Sequence, residues 1–503
     1  MSLNQDFDLI VVGGGPAGST LATLVSMHDY RVLLLERERF PRYQIGESLL
    51  PSTVHGICVL LGLSRQLQEA GFVRKNGGTF LWGKNPVPWT FGFGMSRFLG
   101  ESEGYAYQVE RSKFDHLLLN NARHKGVDVR EQHNVTGVLA DNGRVSGVEY
   151  INERGEKCVA RSRFVADASG HQTAISRNVG ERRFSRFFQN VALFCYFENG
   201  KRLPPPNSGN ILCASFNHGW FWYIPLSPTL TSVGAVIDRQ YADVLKNGHE
   251  KAMEGFIREC PVIQEYLANA TRVTHGLYGQ FRVRKDYSYS NDRFWSPGAV
   301  LVGDAACFID PVFSSGVHLA TYSALLAARS INTVLRGDLD ENRCFTEFEL
   351  RYRREFSNFY KFLLAFYDIN RDEESYFWEA RKILNTEENA NEAFVRLVAG
   401  VSTWSESVFP GAEAYLQEHT NLGKLFQAEN KPFMNQGMNG PSTDGDTDQE
   451  AFMNNLLSEI VHVQSLANMG PRRAHETPLF SGGLVPSADG LRWREFPAVA
   501  VSA

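Results

Sequence analysis

The chain opens with an apolar run of strand length, FDLIVV, then GGGPAG, a stretch with helical spacing, STLATLVSMHDY, and a second apolar run, RVLLLE. That succession predicts a βαβ unit and with it a parallel sheet. Residues 79–107 carry short, aromatic, alternating segments, after which RSKFDHLLLNNARHKG returns to helical spacing. VDVREQ, VTGVLAD, VSGVEYIN and SRFVADASG read as short strands, with turns at Asp141-Asn142-Gly143 and Asn152-Glu153-Arg154-Gly155. A second strand-rich zone, about residues 190–238, predicts antiparallel strands. AVLVGDAA, at 299–306, has the continuous apolar run of a doubly covered parallel strand, so the first domain is expected to be discontinuous. Beyond Asp338 the spacing becomes helical, and the aromatics of FTEFELRYRREFSNFYKFLLAFYD read first as core packing of an added helical unit. Residues 429–450, rich in Asn, Gly, Ser and Asp, read as a mobile linker.

One strand raises a question of its own. GWFWYIP, Gly219–Pro225, holds two tryptophans, a phenylalanine and a tyrosine. A period of two sends Trp220, Trp222 and Ile224 to one face and Phe221 and Tyr223 to the other, so both faces are apolar. The plain reading is a doubly buried strand that ends at Pro225, which cannot donate a ladder hydrogen bond.

Composition narrows the classes. The 503 residues suffice for two to four domain-sized units, and 43% hydrophobic with 21% charged residues is ordinary for a globular protein. A formal charge of −5 offers no basic field for nucleic acid. The first residues show no basic region followed by a long apolar one, and no apolar run reaches the roughly 18 residues of a membrane span. The seven cysteines are widely spaced with no CxxC pair, which argues against a cysteine zinc site, and no metal ligand set is assigned. A cytoplasmic location is expected.

Gly13, Gly15 and Gly18 follow a strand, open a helix and precede Glu36 at the end of the next strand. In that context the glycines let backbone amides approach a pyrophosphate at a positive helix N-terminus, and the carboxylate accepts from ribose hydroxyls. On these residues alone the dinucleotide is NAD or FAD.

LVGDAACFIDPVFSSGVHLA, residues 301–320, resembles the second FAD fingerprint of flavoproteins of the p-hydroxybenzoate-hydroxylase type, and YQVERSKFDHLL resembles their arginine region. The resemblance implies that Asp304 holds the ribityl chain and that Arg111 contacts FAD. It also implies that Ala17, Ser48, Pro311, Gly316 and Val317 join Gly13, Gly15, Gly18 and Glu36 around the cofactor. FPRYQIGESLLPS from Phe40, RKNGGTFLWG from Arg74 and WFWYIP resemble the flavin-dependent halogenases, over roughly residues 8–367. PRYQIGESLLP with TFLWGKNPVPWTF is most similar to the branch acting on phenols, including tyrosyl groups held on carrier proteins.

The implied fold class is α/β: a Rossmann-type FAD domain, an inserted, mostly antiparallel substrate-side sheet, and a helical C-terminal extension. The implied core is 1–345, with FAD segments about 1–73, 111–182 and 294–345 and the substrate-side sheet about 74–110 and 183–293; the extension is 346–503. The implied activity is antibiotic-type secondary-metabolite chlorination by FADH2, oxygen and chloride. In it, Trp220 and Trp222 wall organic substrate off from the flavin oxidant, amides of Ser315 and Gly316 hold chloride at a helix start, and Lys75 aims chlorine at the arene. Lys84 is the competing lysine, set aside because Lys75 has the family offset before TFLWG. A reference pKa near about 10.4 predicts a charged amine unless burial lowers it.

Two departures carry information. Where tryptophan halogenases place a glutamate shortly before the chloride pair, this chain has Phe313, which favours a phenol able to activate its own ring. Where related hydroxylases carry Asp-Gly, this chain has Ser169-Gly170 before Thr173 and Arg177, which implies a separate flavin reductase. The alternatives are a hydroxylase or epoxidase of the same fold and a non-catalytic flavoprotein.

Overall fold

The structure, a computed structural model, describes residues 6–81, 88–95, 101–185, 188–285, 288–369, 478 and 482–496. Lys84, the 429–450 linker and most of the C-terminal extension lie outside the described residues.

The first strand, Phe7–Val12, lies in a parallel sheet between Lys157–Asp167 and Val32–Glu36. Ala299–Leu301 and Asp128–Glu131 extend that sheet in parallel on its two sides. The sheet is thus assembled from three separated stretches of chain, as the apolar pattern at 299–306 requires. Its strands are buried throughout over Val32–Glu36 because helices cover both faces. The first helix, Pro16–Ser26, begins with Pro at its first turn, where the missing N–H costs nothing. It therefore starts before the STLATLVSMHDY stretch, and it ends in a turn whose Asp29 has φ 62°. The 157–167 strand continues past the sheet into an antiparallel meander with Arg144–Ile151 and Asn134–Asp141. Asn142 and Gly143, both at positive φ, make its turn.

The second sheet runs Asn190–Glu198, Leu230–Asp238, Gly219–Pro225, Ile211–Phe216, antiparallel throughout. Gly77–Leu81 then adds in parallel to Ile211–Phe216, and Trp89–Gly92 pairs with Gly77–Leu81. The aromatic strand is central and buried at every position. Its two faces serve different cores. Trp220, Trp222 and Ile224 join the large core shared with the parallel sheet, whereas Phe221 and Tyr223 pack in a second core under the helices His249–Glu259 and Pro261–Leu267.

Two long helices follow, Ser315–Arg336 and Glu341–Ile369. The second runs straight through residue 345, so the helical extension grows out of the core without a break. The chain's far end is not helical: Leu484–Pro486 and Trp493–Glu495 form a hairpin laid on these helices. Trp493 is 2% exposed, donates Nε1 to Ser330 Oγ at 2.9 Å, and has the Arg329 and Arg351 guanidinia each 5.1 Å from its ring centroid.

Candidate active site

A cavity of about 530 Å³ opens between the two sheets. Gly13, Gly15, Ala17, Glu36, Ser48, Arg111, Asp304, Pro311, Gly316 and Val317 all line it, together with Trp220 and Trp222. Gly18, Ser315 and Lys75 do not.

The glycines explain the nucleotide end. A Cβ on Gly13, which has φ 103°, would lie 2.6 Å from the Ala168 carbonyl oxygen, and one on Gly18 would lie 1.9 Å from Gly13 O. Gly18 therefore serves the close packing of helix on turn rather than the ligand. Glu36 accepts from Gly14 N at 2.6 Å and Glu38 N at 2.8 Å, which leaves acceptor sites for ribose hydroxyls. Opposite, Arg111 makes a bidentate contact with buried Asp115, at 2.7 and 2.9 Å, and donates to the Ile45 carbonyl at 2.6 Å. Burial raises the Asp304 carboxyl to about 6 against the pull of Arg111, Arg284 and Arg182. Two buried polar atoms of lining residues, Ser48 Oγ and Glu47 Oε2, have no hydrogen-bond partner among the described residues. An acid for ribose, a helix N-terminus for phosphate and glycines whose Cβ atoms would clash leave a cradle that fits a bound FAD.

The segment 169–174 closes one side of the cavity. Asp167, fully buried, ties it down by accepting from Ser169 N and Ile175 N, each at 3.0 Å. Arg177 is exposed and does not line the cavity.

At the other end stands the indole wall. Trp222 donates Nε1 to Ser232 Oγ at 3.1 Å, and its ring lies against Phe194 and Trp220 at centroid distances of 5.4 and 6.3 Å. Gly234, across the strand pair, has no side chain because the indole occupies the place: a Cβ there would be 2.2 Å from Trp222 Cζ2. Near the same wall begins the Ser315–Arg336 helix. Its entry is set by Asp310, whose Oδ1 accepts from Val312 N at 3.0 Å, and by Ser314 in the left-handed region at φ 59°. The first amides of a helix have no intrahelical partners, and those of Ser315 and Gly316 fall at this point. A Cβ on Gly316 would be 2.8 Å from the Phe308 ring, so a larger residue there would have to push that ring aside.

Lys75 is not among the residues that line the cavity. It ends the strand Val73–Lys75, paired antiparallel with Ala106–Gln108, and is 2% exposed. Nζ donates to the Leu49 carbonyl at 3.0 Å and lies 5.2 Å from the Phe93 ring centroid. Burial pulls its amine down from 10.5 to about 7, slightly opposed by Cys213. The charged amine expected from the reference value is thus replaced by one near half-protonation at neutral pH. Phe313, two residues before Ser315, is buried with its ring centroid 5.9 Å from that of Phe80; no carboxylate stands at that position.

Sequence reading passed over Glu47, although it lies inside the GES motif. Its carboxyl is buried, lines the cavity, accepts from Tyr196 OH at 2.7 Å and is raised by burial to about 7. Nothing local marks it, since its partners come from residue 196 and beyond. No helix among the described residues is long and apolar enough to cross a membrane, and none of those residues forms a cluster able to hold a metal ion.

The family model for tryptophan halogenases matches residues 8–102 and 96–436. The chain is 34% identical over 415 residues to a tryptophan 2-halogenase of Chondromyces crocatus, covering 80% of this chain and 77% of that one. It is 29% identical over 388 residues to a 1H-pyrrole-2-carbonyl-[peptidyl-carrier protein] chlorinase of Pseudomonas fluorescens, covering 73% and 85%. Among solved structures, the myxobacterial chondrochloren halogenase, an FAD-dependent halogenase, superposes with a TM-score of 0.76 at 56% identity over 97% of this chain and 99% of that one.

Proposed function

The chain belongs to the tryptophan-halogenase family of flavin-dependent halogenases, enzymes that use FADH2 and chloride, and from that premise we propose that it chlorinates a phenolic, tyrosyl-type substrate held on a carrier protein, ortho to the hydroxyl. When bound, reduced FAD supplies the electrons with which oxygen oxidises chloride. The rest falls to side chains and amides. Glu36, the helix start at Gly15, Asp304 and Arg111 hold the cofactor. Trp220 and Trp222 exclude the organic substrate from the flavin chamber while leaving room for a halide. Amides of Ser315 and Gly316 hold chloride at the positive end of a helix. Lys75, dry and close to Leu49, receives the hypochlorous acid and delivers chlorine, by hydrogen bond from the ammonium or by transfer through the neutral amine.

The observation that carries the substrate class is Phe313. The tryptophan halogenases resembled here place a glutamate at this position to polarise the indole, whereas a phenol pushes density into its ring through its own oxygen. An apolar ring packed on Phe80 at this position supplies no base. The named pyrrole relative acts on a carrier-bound group, which supports tethering, and the absence of Asp-Gly at 169–170 supports reduction of FAD by a separate reductase. The test is incubation with a flavin reductase, FAD and chloride, offering free tyrosine, tryptophan, and carrier-tethered tyrosyl and pyrrolyl groups, read by intact mass. A chlorine mass shift on the tethered tyrosyl group is expected. Chlorination of tryptophan or the pyrrolyl group alone, or of free tyrosine as efficiently as the tethered form, removes the reading.

A further inference from the structure

Oxidation of chloride by reduced flavin and oxygen balances as FADH2 + O2 + Cl⁻ + H⁺ giving FAD, HOCl and H2O. One net proton is consumed for each halide oxidised, inside a chamber whose far end is sealed by indoles. We propose that Glu47, Tyr196 and Tyr43 form a proton wire that delivers this proton from the half-buried Tyr43 to the tryptophan wall of the cofactor cavity. The inference rests on the reading that chloride is oxidised in that cavity.

The hydrogen bonds fix the wire's direction. Tyr196 OH donates to Glu47 Oε1 at 2.7 Å and lies 2.8 Å from Tyr43 OH. A phenol has one proton, so with Tyr196 spending its own on Glu47, Tyr43 must be the donor to Tyr196. Glu47 Oε1 is then an acceptor, and the acid's proton belongs on Oε2, the atom that has no partner among the described residues. Glu47 itself lines the cavity, and Ser232, which holds the Trp222 indole, faces the same carboxyl. When Oε2 gives up its proton, Tyr196 passes one to Oε1, Tyr43 refills Tyr196, and water refills Tyr43; rotation of the carboxyl resets the wire. One proton enters and one leaves.

The surroundings suit that task. Burial brings the carboxyl to about 7, so both forms are populated near neutral pH; Tyr196, Ser232 and Arg111 favour the charged form and Glu110 opposes it. Burial raises Tyr196 well above its ordinary value, and Glu47 and Tyr43 add to this, so no tyrosinate is populated and the transfers are concerted. Tyr278 packs against Tyr196, ring centroids 4.5 Å apart and planes tilted by 46°, and is itself anchored to Glu110 at 2.9 Å. On its outer side Tyr43 meets the Arg282 guanidinium, 3.5 Å from the ring centroid, with Arg284 nearby. That keeps the entrance polar.

Two measurements on the full chain test the wire. In the apoprotein, the carboxylic-acid carbonyl stretch should titrate near pH 7, vanish in Glu47→Gln, and titrate higher in Tyr196→Phe, which loses a donor to the charged form. In stopped flow, protein carrying dithionite-reduced FAD is mixed with oxygen and chloride in H2O and D2O. Wild-type reoxidation should respond to chloride and show a solvent isotope effect. Glu47→Gln and Tyr196→Phe should slow the chloride-dependent phase by about 10²-fold, and Tyr196→Phe, at a residue that does not line the cavity, should do so with FAD affinity unchanged. Tyr196→Phe keeps the ring on Tyr278 and gives the same readings if Glu47→Gln does not fold. A chloride-dependent phase of wild-type rate and isotope effect in Tyr196→Phe overturns the wire alone. Reoxidation indifferent to chloride in the wild type refutes the halide-oxidation reading and the wire with it.

Discussion

Replacing Lys75 by Met separates the cost of a buried amine from its use. The folded protein holds this amine at about 7 against an ordinary 10.5, which at roughly 1.36 kcal/mol per pH unit corresponds to about 5 kcal/mol. Between those two values the unfolded chain binds a proton that the folded chain does not, so stability rises with pH across the window. Below pH about 7 both states carry the proton and the full cost is present; above about 10.5 it is gone. Methionine has no such term. It does leave the Leu49 carbonyl without its donor, a constant loss of about 1–3 kcal/mol. Urea unfolding of the apoproteins at several pH values from about 6 to about 10 should therefore show the wild type gaining on Lys75→Met by roughly 1 kcal/mol per pH unit above neutrality. Parallel stability curves would refute the buried, depressed amine. The same variant should consume oxygen with reduced FAD yet make no chlorinated product. In the wild type the pH dependence of chlorination per chloride-dependent flavin reoxidation decides the route, because Glu47 is raised to the same value and acts before that step. Activity that rises through pH about 7 points to the neutral amine, and activity that falls through it points to the ammonium hydrogen-bonded to hypochlorous acid.

Trp222→Leu removes an indole of the proposed wall, and Gly234→Ala displaces it by placing a Cβ where the ring lies; both should lower the chlorination yield per FADH2 oxidised and raise hydrogen peroxide release, measured by coupled peroxide assay, and unchanged coupling in both would count against the wall. Trp493→Ala should cost about 3–5 kcal/mol, because it empties a buried site and removes the Nε1 donor to Ser330 Oγ and the ring beside two guanidinia; a urea midpoint within error of wild type would show that the C-terminal hairpin is not an anchor.

The periodicities and glycine spacings of the sequence determined the parts of this protein that follow local rules. Strand, turn and helix at 7–26 follow from apolar runs and from glycines whose Cβ atoms would strike Ala168 O and Gly13 O. The period of two in GWFWYIP separates Trp220 and Trp222 from Phe221 and Tyr223, and the fold keeps that division between two cores. The order of the FAD fingerprints singles out Glu36, Arg111 and Asp304, and all three line one cavity. Tertiary structure alone decided what depends on neighbours distant along the chain. Which face of the aromatic strand meets the cofactor cavity is fixed by the parallel sheet built against it, not by the strand's own pattern. The Lys75 amine is depressed because it is buried, beside Phe93 and the Leu49 backbone, with only slight opposition from Cys213, and desolvation is a property of the enclosure rather than of the residue. Glu47 gains its proton affinity from burial, partly offset by the hydrogen bond it accepts from Tyr196, 149 positions away along the chain. The hairpin at 484–495 finds its site on helices that begin more than a hundred residues earlier, through Arg329, Ser330 and Arg351, whose side chains no local periodicity could have matched to Trp493.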